Sequence, residues 1–387
     1  MRHLIEALRA HAGQKVVVLV DEYDKPIVDY LAEPEVALKM REALRNLYGV
    51  LKDADSHLRF VFLTGVSKFS KVSLFSGLNQ LEDLTLDARW SALCGYTQQD
   101  LETLFAPELK GVDLAAVRRW YKGYNWGGEA VYNPYDIMLY LDQRVFRSYW
   151  FETGTPAFLI EVLGQEGVFA PDLSRLETST ELLSRFDVGN IGREALLWQT
   201  GYLTLRETEV LESGESVYTL GYPNLEVEVA LNRTLLLALG VRSEILGSML
   251  TRVPRLLKAG DLPGFRDHLH ALFASIPLDW HRRNPIARYE GYYASVFYSH
   301  LLSLGQDVRL EDATSKGRIN MVVKMPGRIF IFEFKVVEGE AEGKALAQIQ
   351  ARGYADKFRQ PGTVVTLVGI EFSQAERNVV GFEVMEG

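Results

Sequence analysis

The sequence predicts an α/β protein, and three patterns of apolar residues lead to that fold class. Near the N-terminus, apolar runs at residues 15–20 and 58–64 flank an amphipathic segment at 35–52, an order typical of a βαβ unit. In the middle of the chain, apolar residues recur at helical spacing. Near the C-terminus, two apolar runs meet at a Pro-Gly turn and lie between helical segments.

Length and composition limit the class of protein. A chain of 387 residues predicts two or three domains, and its 47% hydrophobic and 24% charged residues are ordinary for a globular protein. The longest apolar runs are far shorter than the ~20 residues that cross a bilayer, so we expect no membrane segment. Residues 1–14 lack the pattern of a signal peptide. The one cysteine, Cys94, excludes an internal disulfide, and together these features predict a cytoplasmic protein.

The net charge of −9 argues against a protein that coats nucleic acid over its whole surface. The charge is unevenly distributed, because residues 280–387 hold 14 Lys and Arg against 13 Asp and Glu. A nearly neutral segment of this kind permits a basic groove beside acidic metal ligands.

The N-terminal region reads as helix, strand, helix and strand. Residues 1–12 have the apolar spacing of a short helix. Residues 15–20 form a run rich in β-branched side chains that ends in Asp21 and Glu22, which predicts a buried parallel strand with acids at its carboxyl end. A helix is expected at 35–52, and a second buried strand at 58–64 that stops at Gly65.

The middle region is predicted to be mostly helical. The helical segments are residues 98–105, 115–121, 134–142, 155–163 and 227–239. Alternating runs at 202–207 and 216–220 predict one small hairpin around Ser213 and Gly214. Residues 277–285 are expected to form a turn-rich linker. The seven histidines are scattered, and His268 and His270 are two apart, so they do not share a helix face.

The C-terminal region is predicted to be a compact α/β unit. We expect a helix at 286–304 with Glu290 near its start and a short strand at 308–311. A hairpin of residues 318–325 and 329–336 should turn at Pro326 and Gly327. A helix at 341–358 and a closing strand at 362–372 should follow.

Two charged residues interrupt the second strand of this hairpin. Glu333 and Lys335 are two apart, so their side chains point to the same face of an otherwise apolar strand. Burying them costs several kcal/mol, roughly, unless a partner compensates. One interpretation is that Glu333 binds a divalent metal while Lys335 orients or helps to deprotonate an attacking water. The other is an ion pair between the two side chains on a partly exposed strand.

The surrounding residues favour the first interpretation, because their order resembles that of the PD-(D/E)XK nucleases. It is most similar to the nuclease domain that follows an AAA-like ATPase domain in many bacterial proteins. The matching residues are Glu290 on a helix, Gly317-Arg318-Ile319-Asn320 with the apolar residues after it, Glu333-Phe334-Lys335, Gln348 and Tyr354. The resemblance implies a restriction-endonuclease-like fold, catalytic roles for Glu290, Asn320, Glu333, Lys335, Gln348 and Tyr354, and Mg²⁺ or Mn²⁺ held by Glu333, Asn320 and Glu290.

Asn320 departs from this resemblance, because the family has an aspartate at the matching position. An amide is uncharged and offers one oxygen, so it is a poor ligand for a hard cation. We therefore expect impaired catalysis. Two explanations stay open: a natural pseudo-nuclease, or an aspartate changed deliberately to trap substrate.

The N-terminal strand resembles a Walker B strand of the same AAA-like family. The resemblance covers residues 21–27 and further runs at 64–70, 75–79, 132–134 and 152–156. It implies that Asp21 holds Mg²⁺ through water and Glu22 polarises the attacking water in an ATPase site. The alternative is that both are polar ends of a structural strand.

The phosphate-binding loop of such a site is absent from the sequence, which contains no G-x-x-x-x-G-K-[ST] run. Residues 339–345 come nearest, but they are one residue short and carry two acids, so we expect a loop and helix start there. The chain resembles a family member that lacks its first strand and loop. We therefore expect no ATP hydrolysis and only weak nucleotide binding.

These observations lead to one organisation and two hypotheses for function. We expect a partial AAA-like core at residues 1–95, a helical middle region at 96–275 and a nuclease-like domain at 276–387. The first hypothesis is metal-dependent cleavage of nucleic acid, with DNA as the expected substrate and impairment by Asn320. The second is a catalytically silent protein that binds nucleic acid or regulates a partner. A protein partner or a homo-oligomer is compatible with both.

Overall fold

The computed structural model describes residues 1–31, 33–66, 81–152, 169–183, 186–188, 190–277, 290–314, 318–352 and 355–387. The chain divides into two compact units. The first comprises residues 1–149 and 175–224, and the second comprises residues 150–174 and 225–387. The segment predicted as a middle region, 96–275, contributes residues to both units, and the three-part division stays a prediction.

The first unit begins with the predicted βαβ arrangement. Helix α1 (Arg2–Ala12) precedes strand β1 (Val16–Val20), and the short α2 (Lys25–Val28) and long α3 (Pro34–Asp53) lead to β2 (Leu58–Leu63). β1 and β2 pair in parallel, as expected for strands joined by a helix. Proline in the first turn suits the starts of α2 and α3, because those positions need no intrahelical N–H bond.

The prediction that β1 and β2 are buried strands is wrong. Leu19 is 69% exposed and Phe60 is 53% exposed. Within the described residues β1 pairs only with β2, and alternate residues of β1 are exposed. Apolar sequence gives a strand its β-propensity, whereas its burial depends on the elements that pack against it.

The rest of the first unit combines short helices with small antiparallel sheets. Its elements are α4 (Gln98–Leu104), α5 (Leu114–Tyr121), β3 (Lys122–Tyr124), β4 (Val131–Tyr132) and α6 (Pro134–Gln143). α7 (Tyr149–Glu152) crosses the division between the units. β5 (Leu176–Ser179), α8 (Thr180–Leu183), β6 (Phe186–Asp187), β7 (Asn190–Ile191), α9 (Arg193–Gln199), β8 (Thr204–Val210) and β9 (Ser216–Gly221) complete it.

The predicted hairpin around Ser213 and Gly214 is confirmed as the β8–β9 pair, with Val210 opposite Ser216. The helix predicted at 155–163 and the linker after Pro277 lie outside the described residues.

The second unit contains a five-stranded sheet, several helices that precede the sheet in sequence, and one helix between its third and fourth strands. The helices are α10 (Leu225–Ala238), α11 (Ser243–Met249), α12 (Arg252–Ala259), α13 (Leu262–Ala274), α14 (Glu290–Leu302) and α15 (Lys344–Arg352). The strands are β10 (Asp307–Thr314), β11 (Arg318–Met325), β12 (Arg328–Val337), β13 (Val364–Ser373) and β14 (Asn378–Glu386). They follow one another across the sheet in chain order, and β12 and β13 are parallel.

Alternate residues of β12 face different layers. Phe332 and Phe334 pack against Phe297 of α14, at ring-centroid distances of 5.0 and 4.9 Å. Ile331 lies in another buried cluster with Ile349 of α15. The central strand is therefore covered on both faces, which explains its nearly continuous apolar sequence.

Two C-terminal predictions need correction. The strand at 362–372 does not close the sheet, because β14 pairs antiparallel with it at the edge. The sequence did not predict β14, because Gly381 and the two acids Glu383 and Glu386 weaken its apolar pattern. The helix expected from Ala341 begins at Lys344, and the three residues before Lys344 form part of a loop.

In the described part of the chain, every helix is too short or too polar to traverse a lipid bilayer.

Candidate active site

The candidate site is built on the carboxyl-terminal half of β12. Glu333 follows a run of apolar residues and has no exposed surface. Lys335, two residues later, keeps 21% of its side chain exposed. A strand places residues i and i+2 on one face, so the carboxylate and the ammonium group lie side by side as the sequence predicted.

A second carboxylate reaches the same ammonium group from a helix. Lys335 Nζ lies 3.8 Å from Glu333 Oε1 and 3.8 Å from Glu290 Oε2. Glu290 is the first residue of α14 and its side chain is 20% exposed. Both separations exceed hydrogen-bond length, so Lys335 acts on the two carboxylates through its charge. The structure thus brings Glu290, Glu333 and Lys335 together.

Asn320 lies on the neighbouring strand. In the antiparallel β11–β12 pair, Asn320 is the direct partner of Glu333, and Glu311 of β10 is the partner of Asn320 on its other side. Directly opposed residues have Cα atoms about 4.5–5.5 Å apart and point to the same face. The backbone register therefore places Asn320 beside Glu333. The side chain of Asn320 lies outside the described part of the structure.

Gln348 is contributed by α15, and its Nε2 atom is buried without a hydrogen-bond partner among the described residues. The helix approaches the sheet closely because β13 has glycine at position 369. A Cβ atom there would lie 2.4 Å from the backbone nitrogen of Leu346. Gly369 is the register partner of Glu333, so α15 packs directly beside the buried carboxylate. Tyr354, also predicted for the site, lies outside the described residues.

Glu371 was not predicted from the sequence, yet it lies beside Lys335 in the β12–β13 register and is 2% exposed. Its carboxylate accepts hydrogen bonds from the backbone N–H groups of residues 342–345, at the start of α15. Like Glu333, it is an acid in an apolar strand, and that signal could have identified it. The segment resembling a phosphate-binding loop is thus a loop and helix start, as predicted, and its N–H groups bind a carboxylate of the protein itself.

The residues at this face fit a hard divalent cation. Glu290 and Glu333 supply carboxylate oxygens beside one ammonium group. Oxygen donors of this kind suit Mg²⁺ and Mn²⁺. Among the side chains that the structure describes, no group of three or more His, Cys, Asp or Glu residues forms a metal cluster.

Asp21 and Glu22 occupy a separate place at the end of β1, and both are exposed. Asp21 Oδ1 accepts hydrogen bonds from Thr64 Oγ1 at 2.7 Å and from the backbone N–H of Glu22 at 2.9 Å. Glu22 has a left-handed backbone with φ 49°. Thr64, at the end of β2, was part of a family-like run but had no predicted role. These contacts fix Asp21 at the strand end, which both interpretations of the acidic pair require.

Comparison with known proteins supports the two-part resemblance. The family described as "Predicted AAA-ATPase" matches residues 1–75, and the PD-(D/E)XK nuclease superfamily matches residues 288–382. The chain is 55% identical over 381 residues to a protein of Azotobacter chroococcum mcd 1 described as "Uncharacterized protein in vnfD 5'region". That alignment covers 98% of this chain and 74% of the relative. No solved structure matches the chain.

The matched regions include the structural features described above: β1 and β2 fall in the first, and the β10–β14 sheet with Glu290, Glu333 and Lys335 falls largely in the second. The high identity extends over nearly the whole chain, including the residues between the two matched regions. The chain therefore belongs to the family of proteins in which a predicted AAA-ATPase region precedes a domain of the PD-(D/E)XK nuclease superfamily.

Proposed function

We propose that this protein is a metal-dependent phosphodiesterase that acts on DNA, and that Asn320 makes its cleavage slow. The observation that carries the proposal is the position of Lys335 Nζ, 3.8 Å from the carboxylates of both Glu290 and Glu333. Structural ion pairs are common, but a fully buried carboxylate beside a partly exposed ammonium is an unfavourable arrangement that hydrophobic residues could replace at no loss of stability. A catalytic role explains the presence of this buried ion pair better than a structural role does.

Each residue has a distinct role in this mechanism. Glu333 and Glu290 would hold a divalent cation together with the amide oxygen of Asn320. When bound, such a cation supplies an activated water and a countercharge for the phosphorane. Lys335 would orient the attacking water or help to deprotonate it. Gln348, whose buried Nε2 makes no hydrogen bond with the described residues, would donate a hydrogen bond toward the substrate side of the site.

Asn320 limits this chemistry because, compared with an aspartate, it has one negative charge and one ligand oxygen fewer. Loss of a group that merely supports a metal ligand costs about 10–100-fold in affinity or activity, and loss of a ligand should cost more. We expect cleavage of DNA to be very slow or undetectable in the protein as it stands.

The test compares the protein with Asn320→Asp in a cleavage assay on duplex DNA, single-stranded DNA and RNA, with Mg²⁺ and with Mn²⁺. Asn320→Asp should gain metal-dependent cleavage of DNA, by at least about 10-fold. Adding Lys335→Ala to that variant should abolish the gain while circular dichroism stays unchanged. Asn378→Asp, which adds the same charge at the start of β14, is the matched control and should gain nothing.

A second candidate function is supported by Asn320 itself: a catalytically silent nuclease fold that binds nucleic acid or regulates a partner protein. This hypothesis predicts that Asn320→Asp folds and binds Mn²⁺ but cleaves none of the three nucleic acids. That result would contradict the nuclease proposal and leave the binding function in its place.

A further inference from the structure

Four residues of two neighbouring strands share the face that carries the candidate site. β12 and β13 run parallel, and their register places Gly369 beside Glu333 and Glu371 beside Lys335. Register partners on neighbouring strands point to the same face of the sheet. Glu371 is therefore adjacent to the proposed catalytic pair, although neither the family resemblance nor the proposed mechanism gives it a role.

The carboxylate of Glu371 binds the start of α15. Its Oε2 accepts hydrogen bonds from the N–H groups of Glu342 and Gly343, and its Oε1 accepts from those of Lys344 and Ala345, at 3.0 Å for Gly343 and 3.2 Å for Ala345. The first N–H groups of a helix have no partner within the helix, and they carry the positive end of its dipole. The buried carboxylate of Glu371 accepts hydrogen bonds from these N–H groups and places a negative charge at the positive end of the helix dipole.

These contacts keep Glu371 ionised. Burial alone would raise the pKa of its carboxyl group, but the four backbone N–H groups together hold that pKa below its ordinary value. The negative charge is thus used within the protein by the N-terminus of α15, so Glu371 does not act as another metal ligand.

The neighbouring glycines leave the space that this arrangement needs. Gly369 allows the backbone of Leu346 to approach the sheet, since a Cβ atom there would lie 2.4 Å from its nitrogen. Gly381, opposite Glu371 on β14, leaves room for the carboxylate, since a Cβ atom there would lie 3.2 Å from Glu371 Oε2. Both ends of the contact are therefore close-packed, and the helix start cannot shift without moving Glu371.

Gln348 is one turn along α15 from the N–H groups that Glu371 binds. Residues four apart on a helix lie on the same side, so the position of the helix start fixes the position of this side chain. Its Nε2 atom is buried and makes no hydrogen bond with the described residues.

We infer that Glu371 is a positioning residue, which clamps the start of α15 and thereby holds Gln348 at the Glu333–Lys335 pair. The catalytic importance of this contact rests on the proposed nuclease function. The contact between Glu371 and the start of α15 is present in the folded protein whatever its function. Glu371 acts through the helix backbone and contacts neither metal nor substrate.

The first measurement is independent of activity. In protein labelled with ¹⁵N in glutamine side chains, the Gln348 amide resonance is assigned by its loss in Gln348→Leu. Glu371→Met, which keeps the volume but removes the acceptor oxygens, should shift or broaden this resonance. The amide of Gln306, which donates to the Leu304 carbonyl 3.3 Å away, should not move. Glu376→Met, an exposed acid in the β13–β14 turn, is the matched control.

The second measurement uses the Asn320→Asp background. Glu371→Met should lower kcat by about 10-fold or more with little change in KM, the size of effect typical of supporting residues at metal sites. Adding Gln348→Leu should then cost much less than it costs alone, because both changes remove the same contribution. If Glu371→Met does not fold, Gly381→Ala crowds the intact carboxylate and should shift the Gln348 resonance in the same direction.

The outcomes separate the two proposals. A Gln348 resonance that stays in place in Glu371→Met or Gly381→Ala overturns the inference, whether or not any nucleic acid is cleaved. An active Asn320→Asp protein whose kcat is unchanged by Glu371→Met overturns it as well. If Asn320→Asp cleaves nothing, the proposed function fails, and the Gln348 resonance alone decides whether Glu371 positions this side chain.

Discussion

Acidification below pH 6.5 should destabilise the second unit through a buried pair of histidines. His268 of α13 and His300 of α14 have their Nε2 atoms 2.8 Å apart, and the two residues are 3% and 1% exposed. A hydrogen bond between them needs one ring nitrogen to carry a hydrogen and the other to carry a lone pair. His300 Nδ1 has no hydrogen-bond partner among the described residues, so a proton added there would be buried without compensation.

Both pKa values are lowered in the folded protein. Burial, and then the charge of Arg252, lowers the pKa of His268 from 6.5 to about 4. Burial, and then His268, lowers the pKa of His300 to about 3. The unfolded chain therefore takes up protons first, so the free energy of unfolding is unaffected above pH 6.5 and falls as the pH drops toward 4. Each histidine should contribute a loss of about 1.4 kcal/mol per pH unit, or about 2 kcal/mol by pH 5.

The assay is hydrogen exchange of peptides from α13 and α14 at several denaturant concentrations, at pH 5, 6, 7 and 8. The double variant His268→Leu/His300→Leu removes both titrating groups together. Neither ring nitrogen of the pair is then left without its hydrogen-bond partner. Its free energy of opening should fall by about 4 kcal/mol less than that of the unaltered protein between pH 8 and pH 5. His270→Gln, an exposed histidine of the same helix, should change nothing. Equal losses in the double variant and the unaltered protein would refute the reasoning.

Two further predictions concern the candidate site. Gly369→Ala should lower the free energy of unfolding by about 2–4 kcal/mol, because the new methyl group would meet the backbone nitrogen of Leu346 at 2.4 Å. Gly339→Ala places its methyl group in open space and should be nearly neutral. Thermal unfolding of both variants measures the difference. Lys335→Met should lower the free energy of unfolding by about 3–5 kcal/mol at neutral pH, because it removes the ammonium beside the fully buried carboxylate of Glu333. Lys344→Met, at an exposed lysine, is the control. A Lys335→Met protein as stable as the parent would contradict the ion-pair argument.

Local sequence patterns predicted the elements that local interactions form. The strand at 318–325 has the predicted bounds, because an apolar run and a Pro-Gly turn fix its two ends. The pairing of Glu333 with Lys335 followed from the period of two in a strand, and the approach of Glu290 followed from the family resemblance. Each of these depends on spacing along the chain or on a known arrangement of motifs.

Features that depend on distant partners could not be predicted in this way. The histidine pair joins residues 32 apart in sequence, and no pattern along the chain relates His268 to His300. Glu371 binds backbone N–H groups, which every residue type except proline possesses, so its partners leave no mark in the sequence. The exposure of Leu19 depends on which layers cover β1, a property of packing that a strand's own residues do not determine.

An aspartate in place of Asn320 would alter the charge of the site in a direction that affects metal and nucleic acid differently. The carboxylates of Glu290 and Glu333 lie beside the ammonium of Lys335, and an aspartate at residue 320 would add a third carboxylate on the strand next to Glu333. One unit charge at 4 Å contributes about 4 kcal/mol at the effective dielectric constant near a protein surface. Asn320 therefore weakens the attraction for a dication and at the same time reduces the repulsion of a phosphate. Asn320→Asp should increase metal-dependent cleavage and slightly weaken metal-free DNA binding, and the weakening should diminish as salt rises.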